Sequence, residues 1–309
     1  MLEIDGISKS YFRKKVLEEI SFKANEGEIL GLMGPNGAGK TTLIRIINQI
    51  TSADKGYISF QGKLMKQDFL KDIGYLPEER GLYRSMTVEK QALFLAKLRG
   101  LNSSDAKTQI NFWFDRFEIQ DWRKKRIEEL SKGMAQKIQF ICTVLHDPTL
   151  LILDEPFSGF DPINIDLIRK EIKRFKEQGK TILLSTHNMQ SVEEICDKAV
   201  LIHNGQKILE GNVLDLRNEH KEGIYSISFH GNMIGFATAL WAGYEIMDKV
   251  AHTDEFFTVY LKMRKENEIN DLLNAVMPHV KITEVKEVLP SMENVFMQQI
   301  NGDKEAIDE

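Results

Sequence analysis

Short apolar runs alternate with turns through the first third of the chain, and buried-strand runs recur later. Glu28–Met33 reads as a strand buried on both faces, and a glycine-rich turn separates it from a helix opened by Thr42–Ile47. Leu150–Leu153 and Thr181–Ser185 repeat the buried-strand pattern. Between them Ile163–Glu177 carries apolar residues at Ile163, Leu167, Ile168, Ile172 and Phe175, the spacing of an amphipathic helix. Strand, helix and strand in this order predict a largely parallel α/β sheet. From Arg80 to His146 the periodicity is helical, with a break near Leu101–Ser104, which predicts a helical insertion.

The pattern changes near Leu216–His220. Alternating segments at Ile224–Phe229, Phe256–Leu261 and Lys281–Val288 predict strands, with a further short one at Tyr244–Met247. Helical stretches near Ile234–Trp241 and Glu266–Val276 lie between them. The order β-α-β-β-α-β predicts a small ferredoxin-like α+β sandwich. Met233–Tyr244 is uncharged but far short of the roughly twenty apolar residues a bilayer requires, so it reads as a buried helix. The last segment, Asn301–Glu309, is polar and acidic and is expected to fray.

Composition narrows the function. A net charge of −5 over 309 residues argues against a dedicated nucleic-acid binder, so no nucleic-acid partner is expected. The basic cluster Trp122–Arg126 reads as a solvated helix end rather than a phosphate contact. The two cysteines, Cys142 and Cys196, form neither a disulfide framework nor a zinc spacing and suit a reducing compartment. Met1–Asp5 has no basic or long apolar start, so no signal peptide is expected.

The strongest chemical signal is Gly34-Pro35-Asn36-Gly37-Ala38-Gly39-Lys40-Thr41, which fits the phosphate-loop pattern G-x-x-x-x-G-K-[ST]. Glycines let the backbone curl around phosphate oxygens with its N–H groups inward, and the following helix adds the positive end of its dipole. Lys40 can reach the β- and γ-phosphates of ATP, and the Thr41 hydroxyl can ligate Mg²⁺. Gly34 through Thr42 are therefore the candidate nucleotide-binding residues, Pro35, Asn36, Gly37, Ala38 and Gly39 among them.

Leu150–Leu153 ends in Asp154 and Glu155. Neighbouring residues at a strand end point to different sides, so one acid can serve the metal and the other a water. Asp154 is assigned to Mg²⁺ and Glu155 to the general base. His187 follows the buried strand Thr181–Ser185, at the carboxyl end where parallel sheets place ligands, and is expected to meet the γ-phosphate.

Leu130-Ser131-Lys132-Gly133-Met134-Ala135-Gln136 resembles the signature sequence of ABC ATPases, in the variant written L-S-K-G-M. Around it the other elements of that family fall in order. Tyr11 resembles the aromatic residue that stacks on adenine, although Phe12 stands where glycine is usual. Asp147-Pro148 resembles the lead into the Walker B strand, and Ser158-Gly159-Phe160-Asp161 the D-loop. Glu78 occupies the position usually held by the Q-loop glutamine. The segment Glu78–Tyr83 resembles that of bacterial ABC-2-type exporters and sodium-extrusion-like ATPases, a branch that often carries an extra C-terminal domain, and Leu289–Phe296 is similar to that domain's closing helix.

The resemblance implies the nucleotide-binding subunit of an ABC transporter, an Mg²⁺-dependent ATPase with a P-loop α/β core. An ABC ATPase domain is expected over 1–219, with its helical subdomain at about 81–146, an accessory domain over 220–300 and a flexible tail over 301–309. The resemblance further implies a head-to-tail pair with a second copy or a homologous ATPase, in which Ser131, Gly133 and Asp161 reach the other copy's nucleotide. It implies Glu78 as a metal-site acid, an integral-membrane permease as partner, and a cytoplasmic place on the inner face of the membrane. An ABC ATPase that drives an envelope or signalling complex without transport is the alternative reading.

Overall fold

The computed structural model describes residues 1–79, 81–240, 244–263 and 268–305, with the side chains of 301–305 left out. Arg80, Trp241 and Glu266, which bounded expected helical stretches, lie outside the described residues, as do 306–309 of the expected tail. The chain divides into two compact units, Met1–Val213 and Leu214–Glu309.

The first unit begins with the hairpin β1 (Leu2–Tyr11) and β2 (Lys14–Ala24), followed by β3 (Ile29–Met33) and α1 (Lys40–Ile47). After β4 (Lys55–Phe60), β5 (Lys63–Leu64) and β6 (Ile73–Leu76) come the helices α2 (Val88–Leu98), α3 (Ser103–Arg116) and α4 (Lys132–Val144). The chain re-enters the core through β7 (Leu150–Asp154), α5 (Pro162–Glu177), β8 (Thr181–Thr186), α6 (Met189–Ile195), β9 (Lys198–His203) and β10 (Gln206–Asn212). Helix α7 (Val213–Glu219) begins at the division between the units.

Six strands form the central sheet in the order β10-β9-β3-β8-β7-β6. All its pairs are parallel except β9–β10, so the expected largely parallel sheet is present. A second, antiparallel sheet runs β2-β1-β4-β5. Period-two alternation explains the unbroken apolar runs: Leu151 and Leu153 of β7 enter the core beneath the helices α2–α5, while Leu150 and Ile152 enter the core shared with β1, β2 and α1.

Caps set the helix starts. The break near Leu101–Ser104 arises because Asn102 caps α3, its Oδ1 accepting from Ser104 N and Asp105 N at 2.9 Å each. The Trp122–Arg126 cluster is partly spent inside the fold: Arg123 Nη1 pairs with Glu89 Oε1 at 2.7 Å, and its guanidinium lies 5.0 Å from the Phe114 ring centre.

The second unit contains β11 (Ile224–Gly231), α8 (Met233–Ala239), β12 (Tyr244–Ala251), β13 (Phe256–Met263), α9 (Ile269–Val276), β14 (Val280–Val288) and α10 (Met292–Glu305). Its strands lie in the order β12-β13-β11-β14, every pair antiparallel. That is the ferredoxin-like arrangement expected from β-α-β-β-α-β. Phe229 and Phe236 stack at 4.3 Å in its core, but the helix expected to be buried is only half so: Phe236 and Ala239 of α8 face the core while Ile234 is 74% exposed. Among the described residues no helix is long and apolar enough to cross a membrane.

Candidate functional site

The loop between β3 and α1 keeps its shape through glycine. Gly39 adopts φ 113°, and a Cβ there would lie 2.6 Å from Leu17 Cδ2 and 2.8 Å from Val16 O, so only glycine lets the loop close onto β2. Lys40 follows at 6% exposure, its Nζ donating to Gly34 O at 2.6 Å and Pro35 O at 3.2 Å. Burial lowers its pKa, while the carboxylates of Glu155, Asp154 and Glu78 oppose that shift. The loop is therefore formed around its own cation, with phosphate oxygens able to replace the two carbonyls.

A cleft of about 440 Å³ opens above the loop, within the range of small-molecule sites. Asn36, Gly37, Gly39, Lys40, Thr41 and Thr42 line it, together with Glu78, Asp154 and Glu155. Phosphate loop, Q-loop acid and both strand-end acids thus converge from β3, β6 and β7. Gly34, Pro35 and Ala38 shape the loop without lining the cleft. Lys14, Lys15, Val16, Asn204 and Gly205 also line it and were not foreseen. The Asn204-Gly205 turn dipeptide between two strand-like runs was the available signal for the last two.

Asp154 is 3% exposed, and burial, reinforced by the Glu78 and Glu155 carboxylates, pushes its pKa up to about 6. Three acids, Glu78, Asp154 and Glu155, face one buried lysine, Lys40, while the exposed Lys14 and Lys15 also line the cleft. Among the described residues no group of three His, Cys, Asp or Glu side chains has metal-binding geometry. A cation held by the protein alone does not fit this site, whereas Mg²⁺ does, since it commonly takes one or two carboxylates and completes its shell with phosphate and water. Thr41, Asp154 and Glu78 are the residues that could hold it.

Glu155 sits in the left-handed region at φ 50°, uncommon for a residue other than glycine. Its amide donates to Ser185 O at 2.9 Å. Its carboxylate accepts from Thr186 Oγ1 at 3.0 Å and from His187 N at 2.8 Å, and Oε1 lies 2.5 Å from His187 Nδ1. His187 was expected at the γ-phosphate; here it grips the neighbouring acid and does not line the cleft. With a side-chain exposure of 11% against 57% for His187, Glu155 is the buried member of the pair. This geometry fixes one carboxylate beside the phosphate loop.

The other expected residues lie apart. Tyr11, 41% exposed at the end of β1, has Lys9 Nζ 5.5 Å from its ring centre; its register partner across the turn, Lys14, lines the cleft instead. Phe12 in that turn has φ 54°, which explains why glycine is usual there. Ser131 caps α4, its Oγ accepting from Met134 N at 3.3 Å. Beyond its chain neighbours and its own helix backbone, Gly133 has no atom within 4 Å of where a Cβ would stand. Asp161 caps α5, accepting from Asn164 N at 3.0 Å, and this bond holds its carboxyl below the usual range. Gln136 Nε2 donates to Ser158 O, so the segment before Asp161 lies against the start of α4. None of Tyr11, Ser131, Gly133 and Asp161 lines the cleft.

Residues 17–158 match the family described as ABC transporter, and residues 211–300 match the one described as ATP-binding protein DrrA1-3-like, C-terminal domain. The chain is 40% identical over 232 residues to the ABC transporter ATP-binding protein YhaQ of Bacillus subtilis, spanning 75% of this chain and 77% of that protein. It is 30% identical over 302 residues to the linearmycin resistance ATP-binding protein LnrL of the same organism, spanning 96% and 97%. A solved structure of the ATP binding subunit of an ABC transporter superposes with a TM-score of 0.67 at 32% identity, covering 71% of this chain and 92% of that one.

Proposed function

The chain belongs to the ABC transporter ATP-binding proteins, and on that footing we propose that two copies, or one copy and a homologous ATPase, close head to tail over ATP. In this reading the Gly34–Thr41 loop and Lys40 hold the phosphates, with Thr42 beside them. Tyr11 supports the adenine. Thr41, Asp154 and Glu78 hold Mg²⁺, which when bound neutralises β- and γ-phosphate oxygens. Glu155 orients the attacking water or takes its proton, and His187 keeps that carboxylate in place and meets the γ-phosphate once the pair has closed.

The observation that carries the pairing is the split between cleft and signature. Ser131 and Gly133 stand outside the chain's own cleft, and Gly133 faces open space that its own packing leaves unused. A helix N-terminus opened by a capping serine favours an anion, which suits a γ-phosphate presented by the second copy. Asp161 would meet the partner beside it.

The pair would energise an integral-membrane permease from the inner face of the membrane, with substrate bound by the permease. The full-length likeness to LnrL, whose name specifies resistance to linearmycin, supports export as the direction. Glu155→Gln tests the reading. It is expected to bind ATP, hydrolyse it at least about 100-fold more slowly and accumulate as a closed pair in light scattering. Unchanged turnover removes Glu155 as the base, and a chain that stays single with ATP bound removes the pairing.

A further inference from the structure

Gln139 lies two turns into α4, buried at 7% exposure. Its Nε2 donates to Pro77 O at 2.9 Å and to Glu79 O at 3.3 Å, the carbonyls on either side of Glu78. One turn further, Thr143 Oγ1 donates to Gln139 O at 2.9 Å and lies 3.4 Å from Tyr75 O in β6. Among the described residues no backbone–backbone hydrogen bond outside the sheet ladder reaches Pro77, Glu78 or Glu79. The strand β6 delivers Glu78 to the cleft, but a helix side chain fixes the backbone on which Glu78 rides.

We infer that Gln139 is a positioning residue for Glu78, tying the acid's place in the cleft to α4. The inference rests on the proposed metal role of Glu78. Ser131 opens α4, so one rigid helix carries both the signature and the tie to the acid. A displacement of α4 when the signature engages an anion would move the carbonyls of Pro77 and Glu79 with it, and Glu78 between them. Gln139 is a positioning residue only, because it does not line the cleft.

The test is a Mg²⁺ titration of the binding of a fluorescent ATP analogue to the full chain. Gln139→Leu is expected to raise the half-saturating Mg²⁺ by about threefold to tenfold, the effect of one or two lost buried hydrogen bonds. Affinity for the analogue in EDTA is expected to stay within about twofold. In a Glu78→Gln background the same substitution is expected to shift the titration by less than about twofold, since the group it positions is already changed. Equal shifts in both backgrounds, or weaker binding in EDTA as well, overturn the inference. Gln139→Glu, of the same size but without the donors, replaces the leucine variant if that one does not fold. Hydrogen exchange at the Glu78 and Glu79 amides needs neither metal nor nucleotide and is expected to quicken in both variants. Unaltered exchange overturns the tie. A Glu78→Gln protein with the wild-type Mg²⁺ titration instead overturns the metal role of Glu78, and exchange alone then decides the tie.

Discussion

Replacing Asp154 with asparagine should make the nucleotide-free protein more stable at neutral pH. The carboxyl is 3% exposed and its pKa rises from the ordinary 3.8 to about 6, because burial and the Glu78 and Glu155 carboxylates disfavour its charge. Below about pH 4 the folded and unfolded chains both hold the proton, and the charge costs nothing. Between 3.8 and about 6 the unfolded chain releases the proton while the folded chain keeps it, so stability falls as pH rises. Above about 6 the loss is complete and constant. A shift of about two units corresponds to about 3 kcal/mol at 1.36 kcal/mol per unit, an upper bound because the asparagine amide must also be satisfied in the cleft. A net gain of about 1–2 kcal/mol would raise the melting temperature by roughly 2–8 °C in a chain of this size. Melting curves of both proteins in EDTA, from about pH 4 to about pH 8, measure the gap directly. It should open between about pH 4 and about pH 6 and then stay level. A gap that does not change with pH, or a variant less stable at pH 7.5, would refute the reasoning. The same variant should lose Mg²⁺-dependent turnover if Asp154 holds the metal.

Two further substitutions probe the loop. Lys40→Ala should abolish ATP binding, measured by fluorescence of a nucleotide analogue, since it removes the cation around which Gly34 and Pro35 close; retained affinity would sink the phosphate-loop assignment. Gly39→Ala should cost about 1–3 kcal/mol of stability and weaken nucleotide binding, from a φ of 113° and a Cβ 2.6 Å from Leu17 Cδ2. A denaturant midpoint equal to that of the parent chain would show that β2 gives way without penalty.

The phosphate loop was legible in the sequence because its information is local: the glycines, the lysine and the flanking strand and helix are contiguous. The central strands were legible for a related reason, since burial on both faces leaves no polar position to confuse the pattern. Residues brought in by strand pairing were harder. Asn204 and Gly205 reach the cleft because β9 pairs with β3, and nothing near Gly34 in the sequence announces that neighbour. Glu155 and His187 were each singled out, yet their grip on one another depends on β7 lying beside β8 and on the left-handed turn at Glu155. Gln139 was invisible for another reason. A glutamine on a helix reads as a solvated position, and only tertiary packing turns its amide toward Pro77 and Glu79.

The open space at Gly133 makes that position a handle for measurement. Glycine weakens a helix by about 1 kcal/mol relative to alanine, yet no packing within the chain asks for it there. A cysteine at 133 would set its Cβ in open space, a starting point for a fluorophore or spin label. A label there stands where the second copy's γ-phosphate is proposed to seat, so it would compete with closure, turning a gap in one molecule into a test of whether assembly needs that gap.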